Sequence, residues 1–319
     1  MNDHSPRRYR GSLLERAAEQ YHFGAPPVAQ PQPVAPQPVP QPVAQPASQP
    51  GFEEAPVAGP VLRRGFAAEE APRRETGRRS APIDRAGLAK LGMLVPGGPV
   101  TPLAEEFRLV KRQLLLTARA VAGADAQRAR MILVCSAQPD EGKTFCAINL
   151  ALSMAAEKDV EILLVDADFA KPDVLERLGL PEGPGLLDAL AGTVDVEDCI
   201  LDTDVPQLCV LPAGAKSDTD TEMLASERAR QILDGLAAAN PRRIVIFDSP
   251  PALAASPAGV LALHAGQVLL VVRADRTSES DLREATSMLD GCEHIQLLLN
   301  AVSFQPGGRR FGYYGETGK

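Results

Sequence analysis

The chain has 319 residues and a formal net charge of −8. Residues 1–100 carry 12 Lys/Arg and 9 Asp/Glu, a net charge of +3, which leaves −11 for residues 101–319. An acidic globular part is a poor candidate for binding nucleic acid, which depends on cations that neutralise phosphates. No run of 18 apolar residues and no secretory signal is present, so we expect a cytoplasmic protein without a transmembrane helix.

The first hundred residues predict two segments without a packed core. Residues 1–24 contain Ser12 followed by Glu15, a capping box that favours a short amphipathic helix. That helix is either a docking peptide for a partner or a marginal helix that frays alone. Residues 25–100 are predicted to be a disordered linker, because 12 of the 35 residues from Pro26 to Pro60 are proline and Arg pairs follow.

The next informative feature is a loop between an apolar run, Met131–Cys135, and a helical pattern. Strand, Gly-Lys-Thr turn and helix form the context of a phosphate-binding loop, in which backbone N–H groups face the phosphate oxygens. Lys143 is predicted to reach the β- and γ-phosphates and Thr144 to ligate Mg²⁺. The predicted nucleotide-binding residues are Pro139, Asp140, Glu141, Gly142, Lys143, Thr144 and Phe145.

Two later apolar runs end in aspartate. Residues 161–168 end in Asp166 and Asp168, and residues 243–248 end in Asp248. Ligands of open α/β sheets bind beyond the carboxyl ends of the strands, so these side chains are predicted to complete the site. We assign Lys143, Asp166 and Asp168 to catalysis and Thr144, Asp166 and Asp248 to Mg²⁺. Asp166 is the predicted base for a hydroxyl, and its role is exchangeable with that of Asp168.

The remaining patterns alternate between strands and helices. Further strands are predicted at 207–212, 267–272 and 295–300, and helices at 173–178, 186–190, 222–239 and 278–289. This alternation predicts an α/β fold with a doubly wound, mainly parallel sheet.

With these motifs, the chain from about Pro102 onward resembles the bacterial tyrosine kinases of exopolysaccharide synthesis, which have a MinD/ParA-like P-loop fold. It is most similar to the autokinases of exosortase-linked (PEP-CTERM) loci. The resemblance rests on residues 105–112, 139–144, 163–168, 211–214 and 246–251. It implies a kinase domain at 101–303 and ATP with Mg²⁺ as cofactors.

The resemblance also implies a substrate and partners. Residues 304–319 correspond to a flexible tail whose Tyr313 and Tyr314 are the implied phosphoacceptors. Glu105, Arg108 and Lys111 correspond to a helix that makes contacts in a homo-oligomeric ring. A membrane-embedded polysaccharide chain-length regulator, encoded as a separate chain, and a tyrosine phosphatase are the implied protein partners. The implied location is the cytoplasmic side of the inner membrane.

Three departures from the family pattern keep other functions open. Asp140 stands where a loop glycine is usual, Ala137 replaces the first glycine of the common loop pattern, and Ala170 replaces an arginine, with Lys171 next to it. The alternatives are a positioning ATPase of the MinD/ParA type and a nucleotide-binding scaffold without strong catalysis. The terminal tyrosine pair favours the kinase.

Overall fold

The structure is a computed structural model that describes residues 78–216 and 220–302, without the side chains of Asp220 and Thr221. These residues form one compact unit. The predicted amino-terminal helix, the linker before residue 78 and the tail with Tyr313 and Tyr314 lie outside the described residues. All five cysteines are buried free thiols.

Strands and helices alternate along most of the described chain. In order they are β1 (Ser80–Ala81), α1 (Arg85–Lys90), α2 (Pro102–Val121), β2 (Met131–Ser136), α3 (Lys143–Met154), β3 (Glu161–Asp166), α4 (Val174–Leu178), α5 (Leu186–Ala191), α6 (Val196–Cys199), β4 (Leu201–Thr203), β5 (Leu208–Leu211), α7 (Asp220–Leu224), α8 (Glu227–Ala238), β6 (Arg243–Asp248), α9 (Pro257–Ala262), β7 (Gln267–Arg273), α10 (Glu279–Met288) and β8 (Ile295–Asn300).

The described strands form one sheet in the order β1-β4-β5-β3-β6-β2-β7-β8. Every pairing in it is parallel except that of β4 with β5. The register places Asp166 at the end of β3 beside Asp248 at the end of β6. Because β2 lies next to β6, the loop that follows β2 opens at the same edge. The predicted doubly wound, mainly parallel fold is confirmed.

Helices cover both faces of the sheet. Alternate residues of β2 point to opposite faces, as the pleat requires: Leu133 joins a core that includes α8 and α9, and Ile132 joins a core with α2 and α3. The central strands are therefore buried on both faces, which explains why their sequences are continuous apolar runs.

The folded domain begins earlier than residue 101, the predicted boundary. Residues 78–100 contribute β1, which pairs with β4, and α1, which is capped by Asp84. Leu88 is 0% exposed and packs in the same core as α3. The linker prediction for these residues is wrong because a few widely spaced apolar side chains, Ile83, Leu88 and Met93, are buried in a core that elements distant in the sequence also form.

The single helix predicted at 222–239 is two helices. α7 ends at Leu224 and α8 begins at Glu227. Ser226 adopts an extended backbone and its side chain accepts a hydrogen bond from the Ala229 amide, as a helix cap does.

Candidate active site

The loop between β2 and α3 has the backbone of a phosphate cradle. Asp140 (φ 62°) and Gly142 (φ 97°) are both left-handed, on either side of Glu141. Alternation of this kind turns successive N–H groups into a concavity that binds anions. A Cβ atom on Gly142 would lie 2.2 Å from Asn300 Nδ2, so this position requires glycine. The positive φ at position 140 explains why the family usually has glycine there. Asp is among the residues that tolerate this conformation.

Lys143 stands at the first turn of α3 and faces the acidic strand ends. Its Nζ lies 2.5 Å from Asp168 Oδ2 and 3.4 Å from Thr144 Oγ1. Burial disfavours the ammonium charge, but the carboxylates of Asp248, Asp168 and Asp166 outweigh this effect and raise the pKa of Lys143. The lysine is therefore held charged at the mouth of the loop.

Asp248 is a fully buried carboxyl group. Neither oxygen has a hydrogen bond of ordinary geometry among the described residues. Burial raises its pKa to about 6, and Lys143 and the Thr144 hydroxyl offset part of that rise. An unpaired buried carboxyl group is costly, so its presence indicates a ligand that supplies positive charge or hydrogen bonds.

Asp166 is also buried, but its oxygens are occupied. Oδ2 accepts hydrogen bonds from the amides of Asp173 and Val174, both at 3.1 Å, and Oδ1 accepts one from Asp168 at 3.3 Å. Burial and the charge of Asp248 raise the pKa of Asp166 to about 7, although these amides lower it. The carboxyl group therefore both supports the start of α4 and has a pKa close to that of a neutral-pH base.

Mg²⁺ fits this donor set only together with a nucleotide. Among residues 78–216 and 220–302, no three His, Cys, Asp or Glu side chains are grouped to hold a metal alone. Mg²⁺ is usually bound by one or two carboxylates with substrate phosphates. The unpartnered Asp248 and the Thr144 hydroxyl are the protein groups present to hold such an ion.

The other predicted nucleotide-binding residues occupy different places. Pro139 and Asp140 are exposed, and Phe145 packs against the core that contains α3. The Asp140 carboxylate points outward, with Oδ1 at 3.9 Å from Lys171 Nζ. Glu141 is 1% exposed and its side chain lies beneath the loop, so of this residue only the backbone is available to a phosphate.

Sequence reasoning missed three residues that hold the loop. Thr277 donates a hydrogen bond to Glu141 Oε1, Arg273 donates to the Asp140 carbonyl and Asn300 donates to the Glu141 carbonyl. Arg273 and Asn300 end β7 and β8, and their position directly after apolar strands was the signal that could have found them.

The predicted oligomer-contact residues lie on α2. Arg108 pairs with Glu105 of the same helix, while Lys111 donates to the Ser153 carbonyl at 3.1 Å and to Glu157 Oε1 at 2.7 Å. Lys111 therefore has an internal role whether or not α2 contacts another subunit. The intersubunit role stays a prediction, as do the phosphoacceptor roles of Tyr313 and Tyr314.

The fold and the loop define a P-loop nucleotide-binding protein. The family model described as "AAA domain" matches residues 129–300, and the chain belongs to that family. Putative tyrosine-protein kinase EpsB of Ralstonia nicotianae is 31% identical over 192 residues, which cover 59% of this chain and 25% of EpsB. Tyrosine-protein kinase YwqD of Bacillus subtilis is 28% identical over 214 residues, 66% of this chain and 86% of YwqD.

Solved structures of tyrosine kinase domains also match this chain. The BceF tyrosine kinase domain matches with a TM-score of 0.51 and 26% identity over 61% of this chain and 76% of that domain. The kinase domain of Escherichia coli tyrosine kinase ETK shows the same fold, with a TM-score of 0.55 and 23% identity over 72% of this chain and 92% of that one. The resemblance to bacterial tyrosine kinases is confirmed; the likeness to the exosortase-linked subgroup stays a prediction.

The match leaves much of the larger relatives uncovered. The chain spans about a quarter of the length of EpsB and 30% of tyrosine-protein kinase wzc of Salmonella typhimurium. Within the described part of this chain, no helix has the length and apolar character that crossing a membrane requires.

Proposed function

We propose that this protein is an ATP-dependent protein-tyrosine autokinase that phosphorylates Tyr313 and Tyr314 and thereby regulates exopolysaccharide synthesis or export. The observation that carries the proposal is the buried Asp248 carboxylate, which lacks a hydrogen bond of ordinary geometry among the described residues and lies near the Lys143–Asp168 ion pair. Relatives named tyrosine-protein kinases support the same activity.

Different residues of the site would bind ATP, bind Mg²⁺ and accept the tyrosine proton. The loop amides and Lys143 would hold the triphosphate, and Thr144 with Asp248 would hold Mg²⁺. Bound ATP would supply the phosphoryl group that is transferred. The tyrosine oxygen would form a bond to the γ-phosphorus of ATP while the bond from that phosphorus to the oxygen bridging it to the β-phosphate breaks, so that ADP leaves. The hydroxyl proton would pass to a buried carboxylate beside Lys143. Asp166, whose pKa is about 7, is the proposed base, and Asp168 is the alternative.

Mass spectrometry of the full chain incubated with Mg²⁺·ATP tests this proposal. We expect phosphate on Tyr313 or Tyr314, lost in Lys143→Ala and in the Tyr313→Phe/Tyr314→Phe double variant. Lys158→Ala removes an exposed lysine after α3 and is the matched control. ADP release that depends on Lys143 without phosphotyrosine would replace the kinase by a positioning ATPase. Neither signal would indicate a nucleotide-binding scaffold.

We further propose that α2 takes part in a homo-oligomeric ring, and that a membrane-embedded chain-length regulator recruits the protein to the cytoplasmic face of the inner membrane. A tyrosine phosphatase would remove the phosphate from Tyr313 and Tyr314. Light scattering of the full chain with and without nucleotide tests the ring. Arg108→Glu is expected to lower the molecular mass, whereas Arg112→Glu, at an exposed neighbour on α2, is the control. An unchanged mass in Arg108→Glu would contradict the role of this helix.

The membrane partner is tested by cross-linking of the intact chain in cells, followed by identification of inner-membrane proteins. Recovery of a polysaccharide chain-length regulator is expected. Its absence from the cross-linked products would count against recruitment by such a protein.

A further inference from the structure

The phosphate loop is tied to the ends of two strands that follow it by more than a hundred residues. Arg273 Nη1 donates a hydrogen bond to the Asp140 carbonyl at 2.9 Å, and Asn300 Nδ2 donates one to the Glu141 carbonyl at 2.9 Å. Arg273 and Asn300 are themselves register partners at the ends of β7 and β8. Two adjacent carbonyls of the loop are therefore held by two adjacent strand ends.

Holding a carbonyl also fixes the direction of the next amide. The peptide unit is planar and trans, so its N–H points opposite to its C=O. The bond from Arg273 therefore orients the Glu141 N–H, and the bond from Asn300 orients the Gly142 N–H. Both N–H groups are directed away from the strand ends.

A second connection holds the loop from beneath. The buried Glu141 carboxylate accepts a hydrogen bond from the Gln138 amide at 2.9 Å and one from the Thr277 hydroxyl. Thr277 Oγ1 in turn accepts a hydrogen bond from the Arg273 amide at 2.9 Å. The turn after β7 thus fixes both the backbone and the underside of the loop, and these contacts offset the strain of the left-handed Asp140.

We propose that Arg273 and Asn300 are positioning residues that aim the amides of Glu141 and Gly142 at the phosphates of the bound nucleotide. This inference rests on the proposed triphosphate ligand, and it adds that nucleotide affinity is set in part by side chains outside the loop. The positioned groups are backbone amides, so the effect extends to any polyphosphate, whatever its base.

The test is isothermal titration calorimetry of the full chain carrying Tyr313→Phe and Tyr314→Phe, which removes the proposed phosphoacceptors, with Mg²⁺·ATP and, separately, with inorganic tripolyphosphate. Arg273→Met and Asn300→Leu should each weaken both ligands by about tenfold, because each loses the alignment of one charge-assisted hydrogen bond. Arg273→Lys keeps a cationic donor and should recover part of the affinity. Arg276→Met removes the same charge from the same turn at an exposed position and is expected to leave both affinities unchanged.

Two results would overturn the proposal. Unchanged binding of both ligands in Arg273→Met and Asn300→Leu would show that the loop keeps its shape without them. Weakened Mg²⁺·ATP binding with unchanged tripolyphosphate binding would show that the side chains contact the base or sugar instead. Thermal unfolding of each variant separates loss of fold from loss of alignment, and Arg273→Lys provides the test if Arg273→Met does not fold. Binding is measured without tyrosine transfer, so the result is independent of whether the protein is a kinase.

Discussion

Replacing Asp248 by asparagine is expected to stabilise the protein when Mg²⁺ and nucleotide are absent. The carboxyl group is 0% exposed and lacks a hydrogen bond of ordinary geometry among the described residues. Burial raises its pKa from 3.8 to about 6, even with Lys143 nearby. Because a tenfold change in proton affinity is worth about 1.36 kcal/mol, ionising Asp248 costs about 3 kcal/mol more in the folded protein than in the unfolded chain.

The sign of the pH dependence follows from linkage. The folded protein binds the Asp248 proton more tightly than the unfolded chain does, so the free energy of unfolding falls as the pH rises from about 4 through about 6. Asparagine is neutral and nearly the same size as the protonated side chain. Asp248→Asn should therefore be more stable than the parent protein by about 3 kcal/mol at about pH 8, and about equal to it at about pH 4.

Urea unfolding followed by circular dichroism, in the presence of a chelator, measures this difference. Asp290→Asn, at an exposed carboxylate after α10, is the control and should leave the unfolding free energy unchanged. With saturating Mg²⁺·ATP the order should reverse, since only the parent protein gains binding energy from the Asp248 carboxylate. A variant that is less stable at high pH, or a difference that does not change with pH, would refute the claim that Asp248 is an unpaired buried charge.

Three further substitutions test other parts of the structure. Gly142→Ala places a methyl group 2.2 Å from Asn300 Nδ2 at a positive φ, so calorimetry should show nucleotide binding weakened by at least about tenfold. Leu88→Ala should lower the free energy of unfolding, measured in urea, by about 2–5 kcal/mol, because Leu88 is in the core. An unchanged free energy of unfolding would instead support the assignment of residues 78–100 to the linker. Arg243→Met leaves Glu161 and Glu197 without their buried partner and should cost about 3 kcal/mol by the same assay, while an unchanged midpoint would contradict that role.

Much of the fold could be predicted because its signals are local. β6 has the bounds that its apolar run predicted, since a parallel strand buried on both faces needs a continuous apolar segment. β8 also has the predicted bounds, although it lies at the edge of the sheet and is only partly buried. The Gly-Lys-Thr turn and the aspartates that end two strands were also visible in short windows. Parallel strands bring their carboxyl ends to one edge, so these local signals together indicated a single site.

Helix boundaries and the start of the domain were less predictable. Ser226 divides a helical pattern that looks continuous in hydrophobicity, because a cap depends on backbone conformation at one residue. β1 has two residues and α1 six, too few for a periodic pattern to be recognised. Their stability comes from packing against elements that are distant in the sequence.

The sequence by itself determined the fold class, the phosphate loop and the identity of the acidic strand ends, because each depends on neighbouring residues. Only the tertiary structure decided how the three aspartates differ. Asp166 accepts hydrogen bonds from three backbone amides, Asp168 pairs with Lys143, and Asp248 is buried without a hydrogen bond of ordinary geometry among the described residues. The tertiary structure also brought Arg273 and Asn300 to the loop. These outcomes depend on strand register and burial, which bring Asn300 to Glu141 across 159 positions of the sequence.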